Sequence, residues 1–532
     1  MTNTNHKTDA RNIVSGTISL TVSVIIVKII GFFYKVPLSH ILGDEGMGYF
    51  NSAYTVFSFF YLLCSSGIPK AISIMITDCN INGNNVKKIK ILSFAIRVFG
   101  AIGFIFTAFL FLFSGFLSSA IGNKNAYISM VCIAPTLLIA CVSGVLRGYL
   151  TGVSDFIPIS LSQVAEGGVK FIIGLLFAMI GIHINASISV ISGLTILGVT
   201  LGSLISMCIL LIATKRNIRA DKMGQSETFE LFDKKQVLKK IFILSAPITL
   251  SAAVMGLSNL IDLAMIIKSL IGIGYSQEIA NSLYGNYTTL VVPMINLVVA
   301  LISPLTVAAL PMISGCFYKN DFKGLNKGIE FLVQMTSFVS FPLAAGFCIY
   351  SKEILLLLFN DDSAIIAAPL LTLVSPAMIF LPLLTIINTV LEATERVVAS
   401  LASMGIGATI KIITSYILMR DPDIGIAGAP LGTVISYGIS LIISVCLMHR
   451  FVKIKISAFK ILFKPLFIGF GSIIFSKLVY NLITNRVFSI SVFALSVSIA
   501  VVFYFLLSIF FGSFSFKKIK TMSKSTKKVE NS

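Results

Sequence analysis

Apolar residues run along this chain for twenty or more positions at a time, and polar residues collect in the gaps between the runs. A transmembrane β-strand would alternate polar and apolar positions over about ten residues, whereas a helix crossing a core of about 30 Å needs one continuous apolar stretch. The pattern therefore predicts helices. Candidate runs lie near 13–34, 50–76, 91–119, 126–149, 157–182, 187–213, 241–267, 283–313, 329–350, 363–388, 397–419, 425–448, 460–483 and 487–512. They imply an all-α polytopic membrane protein of about 14 transmembrane helices. The first run is too long for a signal-peptide core and lacks a small-residue cleavage site close behind it, so it is expected to stay as the first helix.

Two interruptions divide the runs. The longest polar stretch, Thr214 to Lys240, separates six predicted helices from the next eight, and "HRFVKIKISAFK" sets the last two apart. The expected organisation is an N-terminal six-helix bundle over 1–213, a cytoplasmic linker over 214–240, and a second six-helix bundle over 241–450. Two added helices and a basic cytoplasmic tail follow over 451–532. The halves also echo each other. "VLRGYLTGVSDFIPISLSQVAEGGVKFII" falls on "VLEATERVVASLASMGIGATIKII" with a turn four residues shorter, which places Lys170 on Lys411. The copies are an even number of helices apart, so the repeat is parallel, about an axis along the membrane normal.

Composition agrees, with 56% hydrophobic and 12% charged residues and a mean hydropathy of +0.95. A net charge of +19 invites a nucleic-acid reading, but the charge sits in short juxtamembrane loops and in a "KKIKTMSKSTKK" tail. With the N-terminus inside, thirty of the 41 lysines and arginines fall on inner segments and six on outer loops. This bias places both termini in the cytoplasm and makes anionic lipid headgroups, not nucleic acid, the natural partner of the charge. The eight cysteines are scattered without a CxxC or Cys/His cluster, so neither metal nor disulfide is expected. The chain has no Trp, and Tyr and Phe are expected to take its place in the interfacial belts.

The charged residues inside the runs are the candidate functional groups, since each costs about 2.5 to 3.5 kcal/mol to insert and so implies a polar interior. Lys28 lies about 22 Å along the first helix; it either faces a cavity or snorkels to the outer interface. Lys35, beside Pro37, is assigned to the outer rim, and the "GDEGMG" after it to an outer turn whose acids stay in water. Gln163, Glu166 and Lys170 share one face of the fifth helix. Glu166 and Lys170 stand at the i, i+4 spacing of an ion pair, so the face is either self-neutralising or a polar cavity wall. Asn259 and Asp262 stand at i, i+3 on the seventh helix, where Asp262 is a candidate for proton or sodium coupling and Lys411 for its partner. Arg147, Glu392, Glu395 and Arg396 fall at inner helix ends, and Arg97 and Lys477 read as snorkelling residues. Breaks at Gly67–Pro69 and at Pro293, Pro304 and Pro311 suit either alternating access or plain kinked packing.

The stretches "GFFYKVPLSHILGDEGMGYFNSAY", "SSGIPKAIS" and "LRGYLTGVSDFIPISLSQVAE" resemble the polysaccharide-transporter branch of the multidrug/oligosaccharidyl-lipid/polysaccharide exporter superfamily. Within it they are most similar to the group holding the stage V sporulation protein B and the murein lipid II flippases. The resemblance extends over nearly the whole chain, and Arg147 lies in its "LRGYL" part. It implies two six-helix bundles facing each other as a V around a central cavity, with two C-terminal helices added. It also implies a flippase in the bacterial cytoplasmic membrane that carries an undecaprenyl-pyrophosphate saccharide or peptidoglycan precursor outward, in wall or spore-cortex synthesis. Cell-wall synthesis enzymes are then candidate partners. In that reading Lys28, Lys170 and Lys411 meet the pyrophosphate, and Arg147, Gln163, Glu166, Asn259 and Asp262 complete the cavity. The alternative is a cation-coupled multidrug exporter of the same superfamily, whose cavity would be acidic and aromatic. A membrane-embedded transferase on lipid-linked substrates is a third reading, and the chain offers no compact catalytic set for it. No Walker motif, GxSxG or HExxH occurs. The expectation is no enzyme and no cofactor, with energy from H+, Na+, the membrane potential or consumption of the product.

Overall fold

A computed structural model describes residues 3–222, 233–452, 463–483 and 490–511, and among them every regular element is a helix. The middle of the polar linker, most of the "HRFVKIKISAFK" break and the basic tail lie outside the described residues. The chain divides into two compact units: Met1–Thr289 with Tyr416–Gly428, and Leu290–Ser415 with Ala429–Ser532.

The first unit begins with α1 (Asn3–Ser65), which merges the first predicted span with most of the second. There is no outer loop between them. The helix is instead kinked at one residue, Gly43, with φ 62° and ψ −178°, a conformation that glycine reaches without a Cβ penalty. Helix α2 (Ile68–Ile81) restarts after the "SSG" break with Pro69 in its first turn, where a missing N–H costs nothing. Then come α3 (Asn85–Ala120), α4 (Tyr127–Ile133), α5 (Thr136–Gly152), α6 (Ile157–His183) and α7 (Ile188–Lys222). Helices α8 (Lys234–Gly272) and α9 (Gln277–Asn286) pack with them. Cys64, Ile72, Ile76, Leu92, Val145, Leu146 and Tyr149 form the core among α1, α2, α3 and α5.

Helices α6 and α7 touch at backbone distance. A Cβ on Gly198 would stand 2.6 Å from the Gly174 nitrogen, and one on Gly202 would stand 2.7 Å from the Glu166 carbonyl oxygen. Small residues at a helix contact in lipid let dispersion and short polar contacts replace the hydrophobic drive that lipid removes. The consequence is local: Ser203 and Ser206 of α7 come within reach of the polar face of α6.

The second unit contains α10 (Val292–Tyr318), α11 (Phe322–Ile349), α12 (Ser351–Leu358), α13 (Asp361–Val374), α14 (Ala377–Ala393) and α15 (Val397–Leu418). It also contains nearly all of α16 (Gly428–Val452), then α17 (Lys464–Ile483) and α18 (Ile490–Phe510). A Cβ on Gly407 would collide with Ser440 and one on Gly432 with Ser415, so α15 and α16 meet as closely as α6 and α7.

The tandem echo has a structural counterpart. Each copy starts with a helix stopped before proline, Pro135 and Pro376, followed by a 17-residue helix, α5 and α14. Each of those ends shortly before a non-glycine residue in the left-handed region, Ser154 at φ 60° and Glu395 at φ 63°. Eleven helical stretches among the described residues are long and apolar enough to cross a membrane, or up to twelve if α13 and α14, bent by 47°, form one. One of the eleven, Val22–Ile81, holds both of the first two predicted spans.

Candidate functional site

The polar face of α6 is half-buried against α1, α5 and α7, and each of its three polar residues has a separate partner. Ser23 of α1 donates to Gln163 Oε1 at 3.2 Å. Arg147 Nη2 of α5 donates to Glu166 Oε2 at 2.9 Å and to Ser206 at 3.1 Å, while Ser203 donates to Glu166 Oε1 at 3.0 Å. The ion pair is only 19% and 30% exposed. Glu166 is thus neutralised by Arg147 across a helix–helix contact and not by Lys170 along its own helix. The guanidinium reaches in from α5 with a planar set of donors that an i, i+4 lysine cannot match.

Lys170 is held differently. Its ammonium lies 5.3 Å from the centroid of the Tyr34 ring and 4.9 Å from that of Tyr54, and the negative ring faces attract it. Lys35, the neighbour of Tyr34 on α1, is close enough to Lys170 for the two charges to repel. Lys35 is half-buried and donates from Nζ to the Thr288 carbonyl oxygen at 2.9 Å. The sequence expectation of an outer-rim lysine fails here, because α1 continues past Pro37 to Gly43 and carries Lys35 two turns inside the helix end.

The acids of "GDEGMG" are also not left in water. Asn286 donates to Asp44 at 3.0 Å, Asn281 to the Glu45 carbonyl at 2.8 Å, and Tyr49 to the Glu45 carboxylate. Asn51 donates to Thr289 Oγ1 at 2.8 Å, and Asn123 binds both Ser52 and Asn281. Because the kink takes one residue, the acids stand against α9 instead of in a loop, and a Cβ on Gly285 would collide with the Asp44 carbonyl oxygen. Changing Asn281 to Leu would remove a donor from the Glu45 carbonyl and one of the two acceptors of the Asn123 amide, leaving Ser52 as the other, at about 1–3 kcal/mol in all. We expect a drop of several degrees in the thermal unfolding midpoint of the purified protein, read by a thiol-reactive dye on its free cysteines.

The remaining candidates are dispersed. Lys28 is exposed on α1, and Asn259 is exposed on α8. Asp262, half-buried on α8, lies near enough to the buried Tyr284 of α9 to interact with it electrostatically. Lys411 is half-buried on α15 and belongs to the second unit. In that unit the repeat puts Glu392 at the place of Arg147 and Gly407 at the place of Glu166, and α14, α15 and α16 meet instead through uncharged groups, with the Ser444 hydroxyl 2.8 Å from Asn388 Oδ1 and 2.7 Å from Ser403 Oγ. Glu392, Glu395 and Arg396, at helix ends, contact neighbouring helices. Glu392 accepts from Ser400, the exposed Tyr318 donates to Glu395, and Arg396 lies over Phe451. Lys477 does not snorkel: it pairs with Glu353 and lies over Tyr350 and Tyr480, pinning α17 to α12.

Residues 13–317 match the family model described as "Polysaccharide biosynthesis protein". The chain belongs to this family. It is the polysaccharide-transporter branch of the exporter superfamily named above, and curated relatives agree. The chain is 23% identical to the stage V sporulation protein B of Bacillus subtilis (strain 168), over 86% of this chain and 87% of the relative. It is 24% identical to the lipid II flippase MurJ of the same organism, over 82% of each. Among solved structures, the inward closed conformation of the lipid II flippase MurJ superposes with a TM-score of 0.70, at 16% identity, over 93% of this chain and 99% of that one. An inward-facing multidrug resistance MATE transporter superposes with a TM-score of 0.62, at 14% identity, over 81% of this chain and 94% of that one. The fold is therefore MATE/MurJ-like.

The matched segment of this polysaccharide biosynthesis family member contains the whole α6 site, Lys35, Arg147, Glu166 and Lys170 included, whereas Lys411 and Lys477 lie beyond it. Sequence reading missed Lys35, Tyr34, Tyr54, Ser203 and Ser206. Tyr34 and Tyr54 carry no signal of their own, because their contact with Lys170 is made between α1 and α6. The serines carry no signal, because serine is scattered through nearly every span.

Proposed function

We propose that this chain is a flippase that carries an undecaprenyl-pyrophosphate saccharide, such as a peptidoglycan precursor, from the cytoplasmic to the outer leaflet by alternating access. The observation that carries this reading is the pair Lys35 and Lys170, two ammonium groups in membrane-spanning helices without a carboxylate partner among the described residues. Two uncompensated cations in a low-dielectric setting repel each other and gain most from a multiply charged anion. A pyrophosphate is such an anion, and lysine is a competent phosphate ligand. The relatives' names, a lipid II flippase and a sporulation protein, supply the lipid-linked class of substrate and favour wall or spore-cortex synthesis.

The full architecture in this reading has fourteen spans in two six-helix bundles plus two added helices, with both termini cytoplasmic and the protein in the cell membrane. Asp262 serves as the candidate coupling group, Lys28 and Lys411 as further cavity groups that meet the pyrophosphate, and H+, Na+ or the membrane potential as energy source. Anionic lipids hold the basic termini, and wall-synthesis enzymes take the product. The multidrug alternative needs a predominantly acidic cavity, and the α6 face neutralises its one acid with Arg147. Depleting the protein in its own host should cause one lipid-linked precursor to accumulate, measured by extraction and mass spectrometry of the undecaprenyl pool. An unchanged pool together with lost drug efflux would support the multidrug reading instead.

A further inference from the structure

The short segment Tyr287–Val291 between α9 and α10 is a π-helical turn inside one apolar stretch, Gln277–Thr306. Isolated π turns cost hydrogen-bond quality and recur at functional sites. Here the i→i+5 spacing would bring the nitrogen of residue 293 to the Thr288 carbonyl, but residue 293 is proline and has no N–H to give. Lys35 of α1 supplies the donor, at 2.9 Å. Asn51 fixes the next residue by donating to Thr289 Oγ1. The chain also leaves the first compact unit at this turn, between Thr289 and Leu290.

An ammonium has three donors, and the Thr288 carbonyl is the one acceptor of Lys35 among the described residues. A purely structural cap would need only a neutral donor. Keeping a lysine charged in a buried place next to a second cation, Lys170, is an expensive way to satisfy one carbonyl. That expense is explained if the charge has another task.

We propose that Lys35 is a positioning residue that couples the anionic part of the substrate to the backbone of the π turn. Without ligand it caps the Thr288 carbonyl. When a phosphate-bearing headgroup binds beside Lys170, its oxygens draw Lys35 away, the carbonyl loses its donor, and the turn between α9 and α10 is free to change register. No bond is made or broken covalently, and the group recognised is a diphosphate or phosphodiester. This rests on the proposed function for the identity of the substrate, but not for the coupling itself.

The test uses the full-length protein in nanodiscs, inorganic pyrophosphate as the probe, and amide hydrogen exchange of the peptide spanning residues 283–298 as the readout. The wild type should exchange at least threefold faster there when pyrophosphate saturates. Lys35→Met should exchange faster without pyrophosphate and gain nothing from it, and Lys35→Arg should restore both the low basal rate and the response. Lys170→Met should keep the low basal rate but lose the response. If pyrophosphate binds the wild type, by calorimetry, without changing exchange in this peptide, Lys35 is a structural cap and the coupling is refuted. Failure to bind pyrophosphate at all refutes it as well, while leaving a flippase of another anionic lipid tenable. A normal exchange response without translocation of any lipid-linked saccharide would instead refute the proposed function and leave the coupling standing.

Discussion

Lys170→Met should lower translocation of a lipid-linked saccharide by about 10- to 100-fold, the loss that follows from removing one charge-assisted hydrogen bond of about 1.5–3 kcal/mol. The protein should still fold. Lys170 touches the rings of Tyr34 and Tyr54 and no carboxylate among the described residues, so its removal orphans no buried charge. Methionine keeps the length and apolar stem of the side chain against those rings. The prediction is therefore a loss of transport without a loss of protein in the membrane, measured by comparing reconstituted activity with the yield and unfolding midpoint of the same preparation. Lys170→Arg keeps the charge over the rings and should retain part of the activity. If Lys170→Met transported normally, the cation would be there for packing alone.

Arg147→Met should behave in the opposite way and damage the fold first. It would leave Glu166 ionised in an interior where its remaining neighbour is the hydroxyl of Ser203. Breaking a buried pair by removing one member costs about 3–5 kcal/mol, and the partial exposure of this pair brings the expectation toward about 2–3 kcal/mol. Adding Glu166→Gln to Arg147→Met should recover more than half of the lost stability, because the uncompensated charge goes with it. Unfolding midpoints of the two single variants and the double variant test this as a cycle. Additive losses would show that the two side chains do not depend on each other.

What was legible in the sequence, and what was not, follows from the range of the forces involved. Helical spans were legible because twenty apolar residues leave a helix as the economical way to satisfy backbone hydrogen bonds in lipid. The internal echo was legible because the repeat keeps Lys170 and Lys411 in register. The partners of charged residues were not. Glu166 has an ideally spaced lysine on its own helix, yet Arg147 wins because α6 and α7 pack at glycine contact distance and α5 brings its guanidinium to that contact, a tertiary fact. Lys35 was misplaced for a local reason: Pro37 and the polar "SHILGDEG" suggested a loop, but the side-chain amides of Asn281 and Asn286 on α9 take up Glu45 and Asp44 and the helix continues. The break at Gly67–Pro69 was foreseen, since proline and glycine act on backbone alone. The π turn was hidden, although Pro293 five residues beyond Thr288 was its one visible trace.

The central claim is tested most directly by placing the purified protein in liposomes loaded on one leaflet with a fluorescent undecaprenyl-pyrophosphate saccharide, and measuring headgroup exposure on the other leaflet with a membrane-impermeant quencher. The account predicts that exposure rises with the protein, falls about 10-fold or more with Lys170→Met, and is competed by inorganic pyrophosphate. Headgroup exposure equal to that of protein-free liposomes, with an established flippase active in parallel, would contradict it.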